Sequence, residues 1–74
     1  MEYLLVTFDD DRDMVIDGTI QGRTNEVVEL ERGTHTVTLK SPPYDFCPKD
    51  VVTVVLIGTT AITPAEVRYE KVAS

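Results

Sequence analysis

Thr34-His35-Thr36-Val37-Thr38-Leu39-Lys40 decides the fold, because polar and apolar residues alternate along it with a strict period of two. Threonines 34, 36 and 38 and Lys40 fall on one side; His35, Val37 and Leu39 fall on the other. That is the pattern of a β-strand with one wet and one core face. Upstream, Glu26-Val27-Val28-Glu29-Leu30-Glu31 repeats it, with Val28 and Leu30 opposed to Glu29 and Glu31. Arg32-Gly33 supplies turn chemistry between them, so the two strands read as a hairpin.

The same reading extends in both directions. Tyr3 to Phe8 is a strand with Leu4, Val6 and Phe8 on one face, closed by the charged turn Asp9-Asp10-Asp11-Arg12-Asp13. Met14-Val15-Ile16 is a short strand. Asp17-Gly18 is a two-residue turn signal, since glycine accepts the positive φ such turns need, and a second short strand at Thr19 and Ile20 ends at Gly22. Three prolines exclude Ser41-Pro42-Pro43-Tyr44-Asp45-Phe46-Cys47-Pro48 from a central strand and make it a stiff loop. Val51-Val52-Thr53-Val54-Val55-Leu56-Ile57 follows, uncharged and apolar on both faces: either a central strand covered twice or an edge that seeks a partner. After turns at Gly58-Thr59-Thr60 and Thr63-Pro64, a last strand runs from Glu66 to Val72 with Val67 and Tyr69 inward. No stretch carries the i, i+3, i+4, i+7 spacing of an amphipathic helix. The expectation is an all-β chain, a small antiparallel β-sandwich of about six or seven short strands.

Size and charge narrow the function. Seventy-four residues (8.3 kDa) make one domain, 1–74, with a thin core. Thirteen acidic against seven basic residues leave a net charge of −6, which repels phosphate backbones and argues against nucleic acid and anionic membrane as partners. No window approaches the apolar length of a membrane span, and the Met1-Glu2-Tyr3 start lacks the pattern of a secretory signal. With a single cysteine, the cytoplasm is the expected compartment.

Val15-Ile16-Asp17-Gly18, Gly22-Arg23-Thr24, Val28-Glu29-Leu30, Gly33-Thr34-His35-Thr36-Val37-Thr38-Leu39 and Tyr44, in that order, resemble the PEGA domain family. The likeness covers about Met14 to Ile57. It departs at Asn25 and Pro43, where the family usually has proline and glycine, and at Asp11-Arg12-Asp13-Met14, where the family's naming motif would stand. The resemblance implies a β-sandwich accessory or binding module, with no catalytic residues to carry over.

The residues themselves offer few sites. Asp9, Asp11 and Asp13 have the alternate spacing that can gather carboxylates around a hard cation, but Met14 and Ile20 occupy the positions that an EF-hand loop gives to glycine and glutamate. A solvated acidic turn is the plainer reading. His35 and Cys47 are each the sole residue of their type, which excludes a four-ligand zinc site; with no Gly-x-Ser-x-Gly there is no serine hydrolase pattern, and no phosphate-cradling loop is present. His35 reads as a hydrogen-bonded structural residue and Cys47 as a small hydrophobe. The expectation is therefore a non-enzymatic module without cofactor or metal. Its partner would be a protein or a second copy, met through Val52, Val54 and Leu56 of the uncharged strand and through Tyr44 and Phe46 of the proline-braced loop. The alternative is weak binding of a cation, carbohydrate or small ligand at the acidic turn, the aromatic loop or the threonine face Thr34, Thr36 and Thr38.

Overall fold

A computed structural model describes residues 1–41, 45–48 and 50–72. Among the described residues nine strands follow one another without a helix: β1 (Glu2–Thr7), β2 (Asp13–Ile16), β3 (Thr19–Arg23), β4 (Val27–Leu30), β5 (Gly33–Leu39), β6 (Phe46–Cys47), β7 (Val52–Leu56), β8 (Ala65–Arg68) and β9 (Glu70–Lys71). They form a three-stranded sheet in the order β4-β1-β8, a four-stranded sheet in the order β3-β2-β5-β7, and a small β6-β9 ribbon. The all-β sandwich expected from alternation is what the chain adopts. The strand count exceeds six or seven because two-residue pieces in the proline-rich loop and after Tyr69 pair with each other.

The core is one cluster contributed by both sheets: Leu4, Val6 and Phe8 from β1 and its extension, Met14 and Ile16 from β2, Leu30, Val37 and Leu39, then Phe46, Leu56 and Tyr69. Alternation is the cause. In β1 and β5 every second residue turns inward, so each apolar set lands on the shared face, and burying one such side chain stabilises by roughly 1.5–3 kcal/mol.

Two connections differ from the sequence expectation. Residues 26–31 and 34–40 are not a hairpin: β4 pairs with β1, whereas β5 pairs with β2 and β7, so Arg32-Gly33 carries the chain from one sheet to the other. Gly33 has a φ of 129°, outside the comfortable range of L-residues, which suits a crossing. The sandwich is also not wholly antiparallel. β1 and β8 run parallel, with Leu4 opposite Ala65 and Thr7 opposite Arg68, and a parallel pair requires a long crossover, here most of the chain. The β2–β3 hairpin does form as read, with Asp17 and Gly18 both at positive φ (52° and 80°), as the two-residue turns that match strand twist require.

Where the chain leaves β3 for β4, Thr24 is fully buried and satisfied from all sides. Its hydroxyl accepts from the Arg12 amide and donates to the Asp10 carbonyl, both at 2.8 Å, and its amide donates to the Arg12 carbonyl. Next to it, the Asn25 side chain accepts from the Phe8 amide and its own amide donates to the Val6 carbonyl. These bonds seat the β3–β4 crossing on the end of β1. At the other end of the chain, the Tyr69 amide donates to the Thr7 carbonyl and its hydroxyl to the Val37 carbonyl, joining the two sheets.

Candidate functional site

Val51 to Ile57 resolves to an edge. Among the described residues β7 has one ladder neighbour, β5, and lies at the end of the four-stranded sheet. The register places Val54 opposite His35 and Val52 opposite Val37, which turns Val52, Val54 and Leu56 toward the core. Leu56 is fully buried, and Val52 and Val54 are half-buried against the core cluster. The expected contact residues are thus corrected: Leu56 is core, while Val51, Val55 and Ile57, each more than half exposed, are the side chains that β7 presents. Apolar residues of both parities hid this phase. Thr53, the one polar residue of the run and one that faces out, was the available signal.

Pairing across the sheet extends the surface beyond β7. Residues directly opposite in an antiparallel pair share a face. Val55 stands beside Thr34, Thr53 beside Thr36, Thr38 beside Val15, and Val15 beside Ile20. The outer face of the four-stranded sheet therefore carries valine, isoleucine and threonine and no charge between its rims. At one rim Asp13 pairs with Arg23 at 3.7 Å; at the other Asp17 is engaged by His35. The outer face of the three-stranded sheet is different, bearing Glu29, Glu66 and Arg68 beside Tyr3, Leu5 and Thr7.

The sheet edges differ in the same sense. β3 is interrupted by a register shift and carries Arg23, β4 carries Glu29, and β8 carries Glu66 and Arg68 behind Pro64. Such bulges, prolines and charges are the usual guards against adding a foreign strand. β7 has no bulge, proline or charge.

The aromatic loop behaves otherwise than expected. Phe46 is buried, 5.9 Å from the Tyr69 ring in an edge-on arrangement, and it belongs to the core instead of a recognition surface. Tyr44 lies outside the described residues. Asp45, which the sequence did not single out, receives both terminal nitrogens of Arg12, and the Arg12 guanidinium lies within cation–π distance of the Phe8 and Phe46 rings. Cys47 is a free thiol exposed at the surface.

In the acidic turn the carboxylates do not converge. Asp10 pairs with Lys71, Asp11 accepts from the Asn25 amide nitrogen, and Asp13 faces Arg23. Among the described residues no group of three carboxylate, histidine or cysteine side chains is placed to hold a metal. An open cleft of about 310 Å³ lies at the Asp17 rim, lined by Met1, Gln21, Glu29, Leu30, Glu31 and His35. No helix among the described residues is long and apolar enough to cross a membrane. Set against protein-family models, curated proteins and solved structures, the chain finds no match.

Proposed function

We propose that the protein is a non-enzymatic interaction module that recruits an extended segment of another polypeptide, or a second copy of itself, onto the free edge of β7. The observation that carries this reading is that β7 alone among the edges of the two main sheets lacks a bulge, a proline or a charge. Main-chain hydrogen bonds along such an edge give affinity, and the flanking side chains give selectivity. The uncharged Val-Thr face beside it lets a partner approach a chain of net charge −6 without meeting a carboxylate. The order of motifs that resembles PEGA domains supports an accessory role, and a cytoplasmic setting accords with the single cysteine.

Sedimentation velocity over a wide concentration range, followed by affinity capture if the chain stays monomeric, tests the proposal together with Val55→Lys. Val55 faces outward, so lysine there leaves the core intact while placing a charge on the edge. Loss of association in a folded V55K protein supports the reading. Association unchanged by V55K removes β7 as the interface.

A further inference from the structure

His35 makes two hydrogen bonds that a neutral imidazole cannot make together. Its Nδ1 lies 2.6 Å from Asp17 Oδ2 and its Nε2 lies 2.7 Å from the Glu31 carbonyl oxygen. Both partners only accept, so both ring nitrogens must carry hydrogen, which is the imidazolium form. Asp17 belongs to the β2–β3 turn and is itself held by the Thr36 amide at 2.9 Å. Glu31 begins the crossing that carries the chain between the sheets. One side chain therefore joins a hairpin turn to an inter-sheet connection.

We propose that His35 is a protonation-operated clamp: charged, it ties the β2–β3 turn to the β4–β5 crossing, and on losing one proton it keeps Asp17 and releases Glu31. The choice follows from charge. The Asp17 carboxylate favours hydrogen on Nδ1, so the proton leaves Nε2, whose lone pair then opposes the lone pairs of the Glu31 carbonyl. Besides Asp17, the charged groups around the ring are the Glu29 and Glu31 carboxylates, which line the same cleft and favour the cation, and the residue Met1 with its amino terminus; Thr34, Thr36 and the opposing Val54 are uncharged. The hydrogen bond that His35 donates to Asp17, then the one it donates to the Glu31 carbonyl, raises the imidazole above its ordinary range, with burial opposing them.

Nitrogen-15 and carbonyl carbon-13 NMR of the intact chain across pH tests the clamp. The expected result is a His35 midpoint above that of an unfolded histidine, about 6.5, Nε2 as the nitrogen that loses hydrogen, and a Glu31 carbonyl resonance that shifts with the same midpoint. Asp17→Asn should lower the midpoint. A wild-type midpoint at or below the unfolded value overturns the proposal, as does a Glu31 carbonyl that does not titrate. The wild-type titration decides the question even where D17N fails to fold.

Discussion

Arg12 grips Asp45 with both guanidinium ends, Nη1 to Oδ1 at 2.6 Å and Nη2 to Oδ2 at 3.2 Å, while its Cζ lies 5.2 Å from the centre of the Phe8 ring and 5.8 Å from that of Phe46. The pair closes the end of the sandwich where the proline-rich loop returns to the core. The fork matters, because only arginine can offer two parallel donors to a carboxylate while holding its charge over aromatic rings.

Acid should loosen this end. The Arg12 hydrogen bond holds the Asp45 carboxyl below the usual carboxylate range. A depressed folded-state pKa contributes stability that is present above the unfolded value and lost as pH falls through the folded one. Stability measured by urea unfolding should therefore decline below about pH 4, and Asp45→Asn should flatten part of that decline. Arg12→Lys keeps the charge but not the fork, and should lower the midpoint at neutral pH.

Gly22 touches the core through its missing side chain. A Cβ there would lie 2.6 Å from Val28 Cγ2 and 3.2 Å from Met14 Cε, on a backbone with φ of 74°. Gly22→Ala should destabilise by roughly 1–3 kcal/mol through crowding added to left-handed strain. Gly18→Ala meets nothing within 4 Å and should show the backbone component alone. Pairing Gly22→Ala with Val28→Ala should give a favourable coupling in a double-mutant cycle.

Adjacent residues of β7 should respond oppositely. Leu56→Ala opens a cavity in the core and should cost about 2–5 kcal/mol, a large share of what so small a domain has. Val55→Thr should change stability by less than about 0.5 kcal/mol. Thermal unfolding of the two variants distinguishes the core phase of the strand from its outward phase.

Tyr69→Phe keeps the edge-on contact with Phe46 and removes the bond from its hydroxyl to the Val37 carbonyl, 3.1 Å long. The expected loss is about 0.5–1.5 kcal/mol by urea unfolding. Burial also pushes the phenol pKa up, so alkaline titration of Tyr69 should lag behind an ordinary tyrosine.

Alternation alone determined which side chains of β1 and β5 make the core. Leu4, Val6 and Phe8, then Val37 and Leu39, are readable inward residues because successive side chains in a strand point to opposite faces. Asp17-Gly18 likewise specifies its own turn, since the needed backbone angles are local. Hydrogen-bond partners are another matter, because any extended segment offers the same donors and acceptors to every neighbour. Whether Arg32-Gly33 closes a hairpin or crosses between sheets, whether β1 takes β8 in parallel, and whether Val51 to Ile57 lies inside or at the edge are settled by how two apolar faces cover each other. Phe46 shows the same limit: its proline-rich surroundings read as a surface loop, and only the closing of the sandwich against Tyr69 and Arg12 draws it inside.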